Sequence, residues 1–163
     1  MLYLIGLTGN IATGKSLVGR MLGELGARVI DADALVRQLQ RAGTPVYAAI
    51  VAEFGPDVLR PDGEIDRAKL GALVFSNPAA LQQLEAIVHP AVGQEIEKRL
   101  CALRPLASDL RIVVVIEAIK LIEAGLHKQC HALWVVTSRP EVQRERLILS
   151  RGMSEADARL RIV

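Results

Sequence analysis

The chain has 163 residues, a length that predicts one domain with a hydrophobic core of its own. Hydrophobic residues make up 51% of the sequence and aromatic residues only 3%, a composition that favours aliphatic helices packed on a parallel sheet. The net charge of +2, from 20 basic and 18 acidic residues, excludes the strong positive field of a nucleic-acid-binding or membrane-surface protein.

The two cysteines, Cys101 and Cys130, have no CxxC spacing, which indicates free thiols in a reducing compartment. The sequence opens directly on a strand pattern, so we expect no signal peptide, and no apolar run approaches the length of a membrane span. We therefore expect a cytoplasmic protein without nucleic-acid or membrane partners, and we expect it to be a monomer.

The first predicted element is a buried strand, an apolar run over residues 2–7. Residues 9–16 then read Gly-Asn-Ile-Ala-Thr-Gly-Lys-Ser and fit G-x-x-x-x-G-K-[ST], the phosphate-binding P-loop. A helix is predicted from Ser16, because apolar residues recur at helical spacing up to Gly26, a residue type that often ends helices. A strand before the loop and a helix after it are the context that this motif requires.

Glycines at positions 9 and 14 allow the backbone to turn successive N–H groups toward phosphate oxygens, and the helix adds its positive N-terminal end. Lys15 is expected to reach the β- and γ-phosphates and Ser16 to ligate Mg²⁺. We predict that the nucleotide is bound by Gly9, Asn10, Ile11, Ala12, Thr13, Gly14, Lys15, Ser16 and Leu17. The alternative is a glycine-rich strand-to-helix turn whose Lys and Ser are ordinary first-turn residues.

A second short strand is predicted over residues 28–30, and it leads into Asp31 and Asp33. If the chain stays extended, both carboxylates project to the same side at the carboxyl end of a strand, where α/β sheets bind ligands. One carboxylate could then orient or deprotonate an attacking hydroxyl while the other lies near Mg²⁺. The alternative is that one Asp merely caps a helix over residues 34–41.

Residues 43–105 contain helix patterns but no convincing strand. Helices are predicted over 45–54, from residue 65 after a turn at 61–63, and from Asn77-Pro78 to residue 103, with His89-Pro90 kinking or breaking the last one. Such an insertion could bind a second substrate or could serve packing alone. His89 by itself is more typical of a capping or packed histidine than of a catalytic one.

The clearest buried strand is predicted over residues 111–116, and it ends at Glu117, where P-loop proteins often have a second carboxylate. A further strand is predicted over 132–136, then a helix from Pro140 to about residue 150 and a last helix opened by a Ser154 capping box. Residues 139–161 are rich in Arg, which binds phosphate oxygens through two parallel hydrogen bonds. These arginines could close over a polyphosphate, or most of them could be solvated helix-face residues.

Taken together, the P-loop, Val29-Ile30-Asp31-Ala32-Asp33, the run from Leu84 to His89-Pro90, and Gln143 to Leu147 resemble the dephospho-CoA kinase family over essentially the whole chain. The resemblance implies a P-loop NTPase-type α/β fold with a mainly parallel sheet flanked by helices. It also implies one kinase domain over residues 1–163, with a helical acceptor-binding insertion at about 43–105 and an Arg-bearing lid at about 139–161.

The family transfers the γ-phosphoryl group of ATP to the ribose 3′-hydroxyl of dephospho-CoA. The resemblance implies that Asp33 is the catalytic carboxylate, that Asp31 is a metal-linked neighbour, and that Arg146 is a catalytic lid residue on the phosphates. It also implies acceptor contacts within residues 60–100, among them Asp66 and His89. Lys120 is expected to supply a cation to the acceptor, although residues 119–123 depart from the usual Pro-Leu-Leu-Phe-Glu of the family.

The resemblance implies a last helix and strand beyond Val163, which carry part of the adenine pocket in the family and which this sequence does not contain. Two other functions remain open from the residues: another small P-loop kinase acting on a nucleotide or metabolite, and an inactive nucleotide-binding module. A GTPase switch is disfavoured because the sequence has no N-K-x-D motif.

Overall fold

The computed structural model describes residues 1–107 and 110–162, except for the side chain of Arg151. The chain forms two compact units, one made of Met1–Asp31 and Ala102–Val163 and the other of Ala32–Cys101. In the described part of the chain, no helix combines the length and the apolar character that crossing a membrane requires.

The first unit contains a four-stranded sheet in the order β2-β3-β1-β4, and each neighbouring pair is parallel. The strands are β1 (Leu2–Thr8), β2 (Arg28–Asp31), β3 (Ile112–Glu117) and β4 (Ala132–Val135). The predicted α/β fold with a parallel sheet is therefore confirmed, and the predicted strand ends differ from the observed ones by one residue at most.

The helices along the described residues are α1 (Lys15–Glu24), α2 (Ala32–Leu39), α3 (Pro45–Phe54), α4 (Arg67–Ser76), α5 (Pro78–Leu103), α6 (Pro140–Arg151) and α7 (Glu155–Arg161). Short 3₁₀ turns lie at Pro56–Val58, Pro105–Ala107 and Leu126–Gln129. The described residues between 43 and 105 form no strand beyond an isolated bridge between Leu59 and Ile65, as the sequence predicted.

The core of the first unit lies beneath the phosphate loop. Ile5, Leu7 and Val115 are buried together, and Val18 and Leu22 of helix α1 pack against them. Burial of these aliphatic side chains, worth about 25 cal/mol for each Å² of apolar surface, anchors α1 on the sheet. The start of α1, and with it the end of the loop, is therefore fixed relative to strands β1 and β3.

The chain does not stay extended after β2, so the expectation that Asp31 and Asp33 project together from a strand is wrong. Helix α2 begins at Ala32, which places Asp33 in its first helical turn. Ala32 and Leu35 are 3% and 1% exposed, and their spacing puts both on one helix face. Burial of this face explains why the helix starts two residues earlier than predicted.

Helix α5 is not broken at Pro90, one of the two outcomes predicted there, but runs continuously from Pro78 to Leu103. A proline inside a helix removes one backbone hydrogen bond. The buried face of α5 compensates for this loss, because apolar side chains at helical spacing continue on both sides of the proline. These are Val88, Val92, Ile96 and Leu100.

Local signals occupy several helix ends, and those at Gly152 and Ser154 were predicted. Thr44 accepts a hydrogen bond from the Tyr47 N–H before α3, and Ser154 accepts one from the Asp157 N–H before α7. Gly152 adopts a left-handed conformation, φ 62°, at the end of α6. The predicted end of α6 and the predicted start of α7 are thus confirmed.

Candidate active site

The loop between β1 and α1 has the backbone geometry of an anion site. Gly9, Ala12 and Gly14 have φ values of 155°, 58° and 102°. A Cβ atom on Gly9 would lie 2.4 Å from the Val136 carbonyl oxygen, so only glycine fits there. Left-handed residues placed around Thr13 are the pattern that turns successive N–H groups toward one concave side, where an anion can bind.

Helix α1 starts immediately at the end of this loop. The Gly14 carbonyl accepts hydrogen bonds from the N–H groups of Leu17 and Val18, at 2.9 and 3.1 Å. These bonds close the first turn, and the aligned peptide units of the helix give its start a partial positive charge. The loop and the helix start therefore both favour a negatively charged ligand at the same place.

Three polar side chains meet at the carboxyl end of β3. The Lys15 Nζ atom donates to Glu117 Oε1 at 2.8 Å, and the Ser16 hydroxyl donates to the same oxygen at 2.7 Å. Lys15 and Glu117 are 7% and 4% exposed, so the charges compensate each other in a largely dry environment. The positive charge of Lys15 is thereby held beside the helix start.

Glu117 and Asp31 end two neighbouring strands at the same level. Residue 117 is in register with Asp31 of β2 on one side and with Leu7 of β1 on the other. The carboxyl ends of parallel strands meet at one edge of a sheet, which brings these acidic positions to the edge that carries the phosphate loop. Oxygen atoms of this kind are the donors that Mg²⁺ prefers.

Arg146 of helix α6 also contacts the loop. Its Nη1 atom donates to the Ala12 carbonyl at 3.0 Å, and the same atom lies 3.4 Å from the position that a Cβ on Gly14 would take. The Arg146 side chain is exposed. Among the arginines predicted to close over phosphates, Arg146 thus contacts the loop itself, whereas Arg144 lies 3.9 Å from Glu155 of α7.

The remaining predicted site residues belong to other elements of the fold. Asp33 and Asp66 belong to the second unit, where Asp66 accepts the Ala68 and Lys69 N–H groups at 3.0 and 3.1 Å as the N-cap of α4. His89 is half-buried within α5, also in the second unit. Lys120 is exposed in the turn that follows β3. Within the first unit, Lys15, Ser16 and Arg146 meet at the loop, and Asp31 ends a strand at the sheet edge that carries the loop.

Two residues of this site are not among the residues that the sequence predicts for it. Glu117 follows a β-branched strand, which indicates a second carboxylate near the loop without assigning it a role. Gly19 was not considered, although its missing side chain leaves the space that Glu117 occupies: a Cβ there would lie 2.5 Å from Glu117 Oε2. An acidic residue at the end of a buried strand is the sequence signal for Glu117, whereas no sequence pattern indicates Gly19.

Comparisons with known proteins agree with this geometry. The family model described as dephospho-CoA kinase matches residues 3–163. The dephospho-CoA kinase of Symbiobacterium thermophilum is 50% identical over 159 residues, which cover 98% of this chain and 65% of that protein. The dephospho-CoA kinase of Moorella thermoacetica is 44% identical over 162 residues, 98% of this chain and 76% of that protein. The chain therefore spans about two thirds to three quarters of the length of these relatives.

Solved structures give the same fold. A crystal structure of a Thermus thermophilus protein superposes with a TM-score of 0.82 at 31% identity, covering 98% of this chain and 78% of that one. The dephospho-CoA kinase from Campylobacter jejuni superposes with a TM-score of 0.65 at 24% identity, covering 99% of this chain and 79% of that one, a likeness of fold alone. The resemblance seen in the sequence is confirmed: the chain belongs to the dephospho-CoA kinase family of ATP-using phosphotransferases.

Proposed function

We propose that this chain transfers the γ-phosphoryl group of ATP to the ribose 3′-hydroxyl of dephospho-CoA, giving coenzyme A, as a monomer in the cytoplasm. The observation that carries the proposal is the buried Lys15 at the end of a left-handed phosphate loop, in a chain that matches the family over residues 3–163. Phosphoryl transfer of this kind requires mainly positioning and charge stabilisation rather than covalent chemistry by the protein.

The donor half of the reaction is assigned to the first unit. Residues 9–17 are proposed to bind the phosphate oxygens of ATP through backbone N–H groups of the loop and helix start, and Lys15 to stabilise the charge that moves between the β- and γ-phosphates. Arg146 is proposed as the lid cation. Its hydrogen bond to the Ala12 carbonyl supports this role, because the guanidinium is held at the loop and retains further N–H donors for phosphate oxygens.

A magnesium ion is proposed to be held by Ser16 and Asp31. The donor set fits the ion: Mg²⁺ at nucleotide sites typically takes one or two protein oxygens and completes its shell with phosphates and water. The described residues contain no group of three or more His, Cys, Asp and Glu side chains that would form a self-sufficient metal site. When bound, the ion would neutralise charge on the phosphates.

The acceptor half is assigned to Asp33, Asp66 and His89 of the second unit and to Lys120 of the first unit. Asp33 is proposed to accept a hydrogen bond from the ribose 3′-hydroxyl and to take its proton as the new P–O bond forms. Asp66, His89 and Lys120 are proposed as acceptor contacts. Support for Asp33 is its place in the first turn of α2, where the helix dipole favours an ionised carboxylate.

The test is product analysis with the purified chain, ATP, Mg²⁺ and a panel of acceptors. Dephospho-CoA should give ADP and coenzyme A in equal amounts, with only background ADP release from nucleoside monophosphates and sugars. Turnover with another acceptor but not with dephospho-CoA would instead identify a different small P-loop kinase. ATP binding without turnover on any acceptor would identify a nucleotide-binding module and would overturn the proposed reaction.

A further inference from the structure

The two oxygen atoms of the Glu117 carboxylate have different neighbours on helix α1. Oε1 accepts from both Lys15 Nζ and Ser16 Oγ, at 2.8 and 2.7 Å. Oε2 lies against Gly19, so close that a Cβ atom on that residue would be 2.5 Å away. Lys15, Ser16 and Gly19 are neighbours on one face of α1, because residues three and four apart in a helix lie on the same side.

We propose that Glu117 is a positioning residue for Lys15 and Ser16, and that Gly19 sets its position by leaving room for a carboxylate of this length. The inference rests on the proposed function for its catalytic meaning, since it concerns how the phosphate-contacting side chains are held. It assigns a role to a glycine that lies outside the phosphate-loop pattern.

The distances decide whether a methyl group at position 19 could be tolerated. Ordinary van der Waals contact to a Cβ begins at about 3.4 Å, so the carboxylate would have to withdraw by roughly 1 Å. The surroundings do not offer another way out, because Glu117 is 4% exposed and the same Cβ would also lie 3.6 Å from Leu7 Cδ2. A withdrawal of roughly 1 Å away from α1 lengthens both bonds to Oε1 beyond hydrogen-bond range.

The loss of these bonds has consequences at the phosphate loop. Lys15 is buried, and without Glu117 at its present distance its ammonium group loses a charge partner and its fixed direction. Ser16 loses the acceptor that orients its hydroxyl. Both side chains would still be present, but their donors would no longer be preorganised for a triphosphate, which weakens binding and slows transfer together.

The experiment is a double-mutant cycle between Gly19→Ala and Glu117→Asp, with ATP affinity, turnover and melting temperature measured for each variant. Aspartate withdraws the carboxylate by one methylene and so removes the conflict with a Cβ at position 19. In the wild-type background, Gly19→Ala should weaken ATP binding about tenfold and lower kcat, whereas in the Glu117→Asp background its effect should stay within about twofold.

Gly23→Ala is the matched control, because Gly23 lies on the same helix and its Cβ would meet Val29 Cγ2 at an ordinary 3.5 Å. Both substitutions gain helix propensity, so a difference between them reports the conflict with Glu117. Gly19→Ala behaving like Gly23→Ala would overturn the proposal, and so would losses that multiply in the double variant.

Two further outcomes are also decisive. If Gly19→Ala fails to fold, a folded Gly19→Ala/Glu117→Asp variant supports the length match, and an unfolded one contradicts it. If the wild-type chain makes no coenzyme A, the proposed function fails, yet ATP titration and melting temperature still read the coupling between positions 19 and 117. The two proposals can therefore fail separately.

Discussion

Two acidic residues, one in each unit, differ in the groups from which they accept hydrogen bonds. In the first unit, Glu117 accepts from the side chains of Lys15 and Ser16, which come from another element of the fold. In the second unit, Asp66 accepts from the backbone N–H groups at positions 68 and 69 of the helix that it begins. The first arrangement positions charge for a ligand, and the second ends a helix.

This comparison gives a physical criterion for separating chemistry from folding among residues of one type. A carboxylate that binds its own helix contributes about 1 kcal/mol to stability, and an alanine there removes mainly that. A buried carboxylate that holds a cation from a different segment loses its role if either partner is changed. Substitutions at Asp33, Lys15 and Asp66 test how far the criterion extends.

Asp33→Asn should have the largest effect of the three substitutions. A loss of turnover would show that an acid at a helix start in the second unit takes part in the chemistry. Asp33 lies in the first turn of α2 in the second unit, where an acid can serve the helix alone. If it takes the proton of the acceptor hydroxyl, turnover should fall about a hundred- to ten-thousandfold while ATP affinity is retained. Steady-state kinetics with dephospho-CoA and an ATP titration would measure both quantities.

The control for this substitution is Asp57→Asn. Asp57 is an acid in the 3₁₀ turn Pro56–Val58 of the same unit. Asp57→Asn should leave turnover unchanged. Wild-type turnover in Asp33→Asn would remove Asp33 from the mechanism and assign it to the start of α2.

Lys15→Ala should have the next largest effect, because ATP affinity and rate depend on the same ammonium group. We expect turnover to fall about a hundredfold, the usual cost of losing one charge-stabilising donor, and the ATP dissociation constant to rise with it. The melting temperature should also fall, because the buried Glu117 carboxylate loses its cation. Calorimetric ATP titration and thermal unfolding would measure these changes.

Two further variants separate the loss of ATP affinity from the loss of stability. Adding Glu117→Gln to Lys15→Ala should restore much of the melting temperature, since the uncompensated charge is removed, but should not restore ATP affinity. Lys98→Ala, at a lysine whose side chain is 80% exposed, should change neither. Unchanged ATP affinity in Lys15→Ala would contradict the assignment of the phosphate loop.

The phosphate loop was predictable because its chemistry and its backbone are both encoded in consecutive residues. Glycines at 9 and 14 and the flanking strand and helix patterns follow from the sequence in one short stretch. Arg146 was reached only through the family resemblance. From the residues alone it could not be separated from the other arginines of 139–161, because contact with the Ala12 carbonyl depends on how α6 packs.

Three features could not be read from local sequence for identifiable physical reasons. Helix α2 starts earlier than predicted, because burial of Ala32 and Leu35 favours a helix where an extended chain was expected. Pro90 does not break α5, one of the two outcomes predicted there, because packing along a 26-residue helix outweighs one missing hydrogen bond. Gly19 and Glu117 are far apart in sequence, and only the fold brings them into contact.

Substitutions at Asp66 should give the smallest effect. Its two candidate roles can be measured separately, because capping of α4 affects stability and contact with the acceptor affects the KM for dephospho-CoA. Asp66→Ala removes the acceptor of two backbone N–H groups, so the free energy of unfolding should fall by about 1 kcal/mol, or roughly 2–4 °C in melting temperature. Asp66→Asn keeps a good N-cap and should leave stability nearly unchanged. If Asp66 also contacts the acceptor, the KM for dephospho-CoA should rise about threefold in both variants, since the charge is lost in each.

Thermal unfolding and steady-state kinetics on the same preparations distinguish these contributions. Thr44→Ala, which removes the N-cap of α3, is the matched control: it should lower stability by a similar amount without altering the KM for dephospho-CoA. An unchanged KM in Asp66→Asn would confine Asp66 to capping α4, and the roles of Glu117 and Asp66 would then follow from the groups that donate to them. A raised KM in Asp66→Asn but not in Thr44→Ala would mean that one carboxylate serves the helix and the acceptor together.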